Sequence, residues 1–291
     1  GSREFGPATI RDILLSDPIN ERDLKLVLMD INPKELTIHQ KYAENVAEQL
    51  DRHPKIVHTT KLEEALAGAD AVVTAIETKR YFYWAQDFHI PRKHGFKQIN
   101  GENGGPGGLF HALRNAAPLA DVAKTIEQVC PKAWMLNYTN PLTKLCEIVQ
   151  RSSSLNMVGL CHGVFQGMKQ LGRILQMTLD QIEARACGIN HFTWFQQITD
   201  RKTGQDLYPL LIKKERKAEW LAEWDEIALS RILMRVFGLY PSPGTNHIGE
   251  YIAWADEFLC SSLLQFYYDP EDGHPWDTQD IPPFIYNLQG N

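Results

Sequence analysis

Leu24-Lys-Leu-Val-Leu-Met-Asp30, Lys55-Ile-Val-His-Thr59 and Asp70-Ala-Val-Val-Thr-Ala-Ile76 decide the fold. Each is a short aliphatic run, and the third is apolar on both alternating faces, as a strand covered on both sides has to be. Between the first two, Pro33 to about Leu50 repeats apolar residues at helical spacing with proline in the first turn, and another helix is expected from about Lys61. Strands joined through helices lie parallel, so this is a βαβαβ run. After a glycine-rich loop the alternation resumes: a helix from about Leu109 to Val129, strand Ala133-Trp-Met-Leu-Asn-Tyr-Thr139, a further helix, and strand Met157-Val-Gly-Leu-Cys161. The expectation is an α/β, doubly wound parallel (Rossmann-like) sheet in a first domain, residues 1–160.

Past residue 160 the pattern predicts a helix over about 165–176, a strand over about 182–188, an antiparallel hairpin around Asp200-Arg-Lys-Thr-Gly204 and mostly helix from Lys213 to Met234. The last thirty residues, with Pro270, Pro275, Pro282 and Pro283, read as irregular loop. Residues 161–291 are therefore expected to form a second, α+β domain. The 291 residues, 43% hydrophobic and 23% charged with a net charge of −6, describe an ordinary globular chain. A nucleic-acid partner would call for clustered basic residues, and the densest run, Lys213-Lys-Glu-Arg-Lys217, contains an acid. No stretch approaches the roughly 18 apolar residues of a membrane span, and no signal peptide is evident, so no membrane partner is expected and the cytoplasm is the default location. Five cysteines at 130, 146, 161, 187 and 260 have neither scaffold nor CxxC spacing and are expected to be mostly buried thiols. The chain opens without Met and stops on Asn-Leu-Gln-Gly-Asn291, which leads to the expectation of a piece lacking the first strand and the end of the second domain.

In a doubly wound sheet, ligands bind at the carboxyl ends of the strands. Asp30 stands at such an end, where a carboxylate would accept hydrogen bonds from the adenosine ribose of NAD; an Asp after a strand is equally a common helix N-cap. Gly1-Ser2-x-x-Phe5 could be the tail of a phosphate-binding turn. Gly101-Glu-Asn-Gly-Gly-Pro-Gly-Gly108 offers backbone for close approach to a ligand, or a flexible turn. Asn137-Tyr-Thr-Asn-Pro141 brings two amides and a hydroxyl to a strand end, for a nicotinamide or a sugar, or merely as a turn. Cys161-His162 pairs a soft ligand with a ligand or acid/base, and His191 follows another strand; by themselves such residues are as readily core residues as metal ligands. No G-x-S-x-G elbow supports serine hydrolase chemistry.

Taken in order, Gly-Ser-x-x-Phe, the strand ending at Asp30, the Gly-Pro-Gly-Gly turn, Asn137-Tyr-Thr-Asn-Pro, Cys161-His-Gly, Gly188-Ile-Asn-His and, farther on, Gly244-Thr-Asn-His-Ile-Gly-Glu250 resemble glycoside hydrolase family 4. The resemblance implies a second domain of lactate/malate dehydrogenase C-terminal type, and NAD with Mn²⁺ or another divalent metal as cofactors. It also implies a redox-elimination route that the two-carboxylate scheme does not describe. In that route NAD takes a hydride from C3 of the sugar, the C2 proton becomes acidic and is removed, the C1 group leaves, water adds and the hydride returns. By resemblance, Cys161 and His191 are metal ligands, Glu102 and His162 belong to the catalytic pocket, with His162 at the acid position, and Asn140 contacts the carbohydrate. Gly1, Ser2, Asp30, Thr74 and Asn137 are the expected NAD contacts.

Members acting on 6-phosphosugars tend to carry Asp or Asn after the Cys and an Arg before the glycine-rich loop. Here His162 follows Cys161 and Tyr83 to Pro91 holds no Arg, although Arg92 comes next. The implied substrate is an α-glycoside of an unphosphorylated hexose or hexuronic acid. The base is left open between His247 and Tyr251. A homodimer or tetramer is implied for the full-length protein, and this chain alone is expected to bind NAD weakly. Two rivals stand beside this reading: a lactate/malate-type dehydrogenase that consumes NAD, and a catalytically inactive remnant.

Overall fold

The computed structural model describes residues 5–217 and 224–255. In chain order its elements are α1 (Phe5–Leu15), α2 (Asp17–Asn20), β1 (Lys25–Met29), α3 (Pro33–Gln49), β2 (Lys55–Thr59), α4 (Leu62–Leu66), β3 (Ala71–Thr74), α5 (Arg80–Lys93), α6 (Gly105–Val129), β4 (Trp134–Asn137), α7 (Leu142–Ser152), β5 (Asn156–Gly159), α8 (Gly163–Leu175), β6 (Ile182–Ile189), β7 (Phe192–Asp200), α9 (Tyr208–Lys217), α10 (Trp224–Phe237), β8 (Tyr240–Ser242) and α11 (Thr245–Ile248). They sort into two compact units. One gathers the residues up to Thr78 together with Arg114–Leu160; the other gathers Lys79–Leu113 and the residues from Cys161 onward. Lys79–Leu113, counted with the first domain in the sequence reading, thus groups with the second unit.

The first unit is the expected parallel α/β fold. β1 pairs with β2 in parallel, Lys25 opposite Lys55 through Met29 opposite Thr59, while β3, β4 and β5 form a second parallel set. In the standard doubly wound order 3-2-1-4-5-6 the two sets occupy places 3-2 and 4-5-6, and among the described residues no strand takes place 1. Among the described residues β3 correspondingly has a partner on one side only, and Val73 is 40% exposed rather than covered on both faces as expected. Helix α3 starts where Pro33 follows the N-cap Asn32, whose side chain accepts the Lys34 N–H, and it buries Leu36, His39, Ala43 and Ala47 along one stripe. α7 buries Leu142, Leu145 and Val149 at the same kind of spacing against Met135, Ile126 and Leu119.

In the second unit β6, β7 and β8 form an antiparallel sheet. The expected antiparallel turn at Asp200–Gly204 is present, but the longer hairpin lies elsewhere. It joins β6 to β7 at Asn190-His191, and the Asp200 turn closes only a single bridge, Thr199 to Asp206. The reason is hydrophobic: Ile182, Phe195 and Ile198 are fully buried and pack with Leu171, Leu175, Leu211 and Tyr240, which holds Ile182 to Ile189 against Phe192 to Asp200 over their whole length. α5 has no counterpart in the sequence reading, because its residues carry little helical amphipathicity. No described helix is long and apolar enough to cross a membrane. Of the cysteines, Cys130 is buried, Cys146 and Cys161 are half-buried and Cys187 is exposed, so the expectation of mostly buried thiols holds only in part; Cys260 and the proline-rich tail lie outside the described residues.

Candidate active site

The register of the first unit aligns the carboxyl ends of its strands. Thr74 lies opposite Asn137, and Asn137 opposite Gly159. Thr74 and Asn137 are buried and joined directly, the Thr74 hydroxyl donating to Asn137 Oδ1 at 2.9 Å. The same oxygen accepts the Thr139 N–H at 3.1 Å, and Asn137 Nδ2 donates to the Thr139 carbonyl at 3.0 Å. Asn137 therefore uses its amide to shape the turn after β4. Asn140 Oδ1 accepts the Leu142 N–H at the start of α7, and its carbonyl accepts from Asn115 Nδ2 at 3.1 Å. Asn115, which the sequence reading did not single out, is fully buried on α6; Nδ2 also donates to Glu77 at 3.0 Å, whereas its Oδ1 has no partner. Asp30 follows β1 and accepts the Asn32 N–H at 2.8 Å. The cap of α3 is Asn32, so Asp30 is not held to that task. Gly1 and Ser2 lie outside the described residues, but Phe5 stacks on Tyr138, the residue after β4, at 5.4 Å.

In the second unit, pairing of Thr193 with Ser242 sets the chain beyond Ser242 beside the β6–β7 turn. His191 occupies that turn with φ of 65°, and His247 and Glu250 come from the segment after β8. The rings of His191 and His247 are 4.3 Å apart. Glu250 Oε2 lies 2.8 Å from His191 Nδ1, with both side chains buried. The glycine-rich loop arrives from a third direction: the Glu102 N–H donates to Glu250 Oε1 at 2.8 Å, and the Asn103 amide lies 2.9 Å from His191 Nδ1. Gly104 is needed because a Cβ there would come within 2.1 Å of the Glu250 carbonyl. Its close approach is thus to the protein's own backbone rather than to a ligand. Cys161 completes the group next to the N-terminus of α8, its sulfur accepting the Gly163 N–H at 3.4 Å. His162 stands at the N-cap position of that helix without a side-chain capping bond, is exposed, and has its ring 6.5 Å from that of His247. Tyr251 donates to the Asn190 carbonyl at 2.9 Å.

The charges are strongly coupled. Burial alone would make the His191 ring a weaker base, but hydrogen bonds to Cys161 and Glu250 and the charges of Glu250 and Glu102 push it up to about 10. Burial pushes the Cys161 thiol up, yet His191, the Gly163 amide and Asn190 outweigh it and hold it below the ordinary cysteine range. Burial acts likewise on Glu102, and Arg80, His191, His111 and His247 overcome it, down to about 2. Arg80 pairs with Glu102 at 2.9 Å and stacks over Trp84 at 4.2 Å. His247 goes the other way: burial and the neighbouring His191 ring hold it down to about 3. Two carboxylates and an ionisable thiol thus converge on a single imidazole. Glu102, His191 and Glu250 each bring a ligand atom within 4.8 Å of the others. Such a mixture of sulfur, nitrogen and oxygen donors with excess negative charge suits a divalent cation. Sequence motifs had marked Cys161, His162, His191, His247 and Glu102; Arg80, Asn103 and the task of Glu250 were not legible.

A family model described as family 4 glycosyl hydrolase matches residues 1–177, and one for the C-terminal domain of that family matches residues 186–279. An alpha-glucosidase of Erwinia rhapontici is 32% identical over 92% of this chain and 67% of its own length. An alpha-galactosidase of Bacillus subtilis is 34% identical over 94% of this chain and 62% of its own length. The fold is similar to that of a 6-phospho-alpha-glucosidase from gut microorganisms solved in complex with NAD and Mn²⁺, with a TM-score of 0.73 and 24% identity over 87% of this chain and 60% of the other. The chain spans about half to two thirds of the length of the curated relatives it matches.

Proposed function

Because the chain belongs to the family 4 glycosyl hydrolases, we propose that the protein hydrolyses α-glycosidic bonds of an unphosphorylated hexose or hexuronic acid by the redox-elimination route. The observation that carries this is the convergence of half-buried Cys161 on the buried group His191, Glu102 and Glu250, a donor set suited to a divalent metal. Relatives named for alpha-glucosidase, alpha-galactosidase and alpha-galacturonidase activities support the α-glycoside, and support both a hexose and a hexuronic acid as candidates.

Cys161 and His191 would hold the metal, and Asp30 and the Thr74–Asn137 strand ends, with Gly1 and Ser2, the NAD. NAD bound there would supply a hydride acceptor, and a divalent metal would supply Lewis-acid polarisation of sugar oxygens. The unpartnered, buried Oδ1 of Asn115 is an acceptor at these strand ends that a carboxamide or ribose hydroxyl would satisfy. Asp30 accepts ribose hydroxyls and repels a 2′-phosphate, selecting NAD over NADP. Asn140 contacts the sugar. Exposed His162 protonates the leaving oxygen at C1. Glu102, kept ionised, fixes Arg80 at the pocket. His247, held neutral, is the candidate that receives the C2 proton, with Tyr251 the other.

The test is the whole protein with p-nitrophenyl α-galactoside, α-glucoside, α-glucuronide and α-galacturonide, with and without NAD, Mn²⁺ and reductant. We expect release that requires all three and deuterium entering C2 from heavy water. Release without NAD and metal would overturn the proposal, and net NADH accumulation with an alcohol substrate would point to a dehydrogenase instead.

A further inference from the structure

Glu250 touches two of the three strands of chain that make the centre, and the motif reading gives it no task. Its side chain is fully buried and both of its oxygens are occupied. Oε1 accepts from the backbone N–H groups of Glu102 and Asn103, at 2.8 and 2.5 Å, and Oε2 faces His191 Nδ1 at 2.8 Å with Asn103 Nδ2 at 3.3 Å. An ionised carboxylate can only accept, so the proton between Glu250 and His191 belongs to Nδ1. The Asn103 amide nitrogen lies near the same ring atom, but a hydrogen bond to a carboxylate is the stronger of the two. The Asn103 side-chain Nδ2–H is left to donate to Oε2 of Glu250.

We propose that Glu250 is a positioning residue rather than a ligand: it fixes the tautomer and direction of His191, so that Nδ1–H is held and the Nε2 lone pair is presented to the metal, while its other oxygen latches the Glu102–Asn103 loop to the same centre. This rests on the assignment of Cys161 and His191 as ligands. A carboxylate behind a metal-bound histidine raises the ring's basicity and removes the alternative in which Nε2 carries the proton and cannot bind.

Glu250→Gln tests it with little change in shape. The Gln carbonyl still accepts from the loop amides, but its NH₂ now donates toward Nδ1 and forces the ring proton onto Nε2. Mn²⁺ affinity is read from free Mn²⁺ by electron paramagnetic resonance, for wild type, Cys161→Ser, His191→Ala and Glu250→Gln, with thermal unfolding as the folding control. We expect Glu250→Gln to weaken binding about 10- to 100-fold. Binding equal to wild type in a folded Glu250→Gln protein, while Cys161→Ser and His191→Ala lose it, would overturn the role of Glu250 and leave the metal site standing. Wild type that binds no Mn²⁺ would overturn both. A second measurement does not depend on the variant: in Zn²⁺-loaded wild type with ¹⁵N-labelled histidine, His191 is expected to show a protonated Nδ1 and a metal-bound Nε2. Metal on Nδ1 overturns the proposal.

Discussion

His191 stands in the left-handed region, φ 65°, where few residues with a Cβ are found, and Gly188, three residues earlier, has φ of 148°. A Cβ at Gly188 would meet the Phe192 carbonyl at 2.5 Å. Gly188→Ala is therefore expected to cost about 1–3 kcal/mol of stability and to misplace His191, so that unfolding scans and Mn²⁺ titration change together; a shift in stability with unchanged metal affinity would detach the turn from the site. Asp30 makes a separate prediction. With the α3 cap supplied by Asn32, Asp30→Ser should leave stability within about 0.5 kcal/mol while narrowing the preference for NAD over NADP, as measured by calorimetric titration of each. Cys161, His162 and His191 were legible because chemically loaded residues stand together in short motifs at strand ends. Glu250 and Asn103 were not, since what assigns them is a hydrogen bond between residues 147 or 148 positions apart, and no local pattern records it. Arg80 went unread because its meaning comes from Glu102, across the loop that follows α5.

Among the elements, the parallel strands of the first unit follow the aliphatic runs to within about two residues, because backbone pairing and burial act on the same side chains. In the second unit the turn at Asp200–Gly204 was legible and the longer β6–β7 hairpin was not. Asp200 and Gly204 carry the common turn residues, but the turn at Asn190-His191 is set by the backbone pairing of the two long strands it joins, anchored by buried Ile182, Phe195 and Ile198. α9 and α10 are tied by an ion pair that no short motif reveals: Glu215, 1% exposed, accepts from Arg231 at 2.7 Å and from Arg235 at 2.7 Å. Burial pushes its carboxyl up, and the hydrogen bonds of Arg235 and Arg231 pull it lower overall. A depressed carboxylate stabilises the fold above its unfolded pKa, and that stability is lost as pH falls through the folded value. Acid unfolding should therefore begin below the ordinary glutamate range, and Glu215→Ala should cost about 3–5 kcal/mol at neutral pH by leaving Arg231 buried without its counter-charge. An equal melting temperature for the variant would show the pair to be incidental.

At the scale of the molecule, the strand ends assigned to NAD lie in one unit and the ligands assigned to the metal in the other. Hydrogen exchange should separate them. NAD is expected to protect residues around Asp30, Thr74–Ile76 and Asn137–Thr139, and Mn²⁺ those around Glu102–Gly104, Cys161–Gly163, Gly188–Phe192 and Thr245–Tyr251; identical footprints for the two would refute the division. At a hundredfold excess over its dissociation constant, Mn²⁺ should also stabilise the fold by about 2.7 kcal/mol, with chelator reversing the gain.

The latch made by Glu250 has a consequence for how the protein is made. Chain emerges from the ribosome N-terminal end first, so Glu102, Cys161 and His191 are all delivered before the carboxylate that orients the ring. Nascent chains arrested ahead of Gly244 are expected to retain Mn²⁺ poorly, and chains arrested well beyond Tyr251 to retain it. Metal loading would then be a late event in biosynthesis, timed by the arrival of one buried acid.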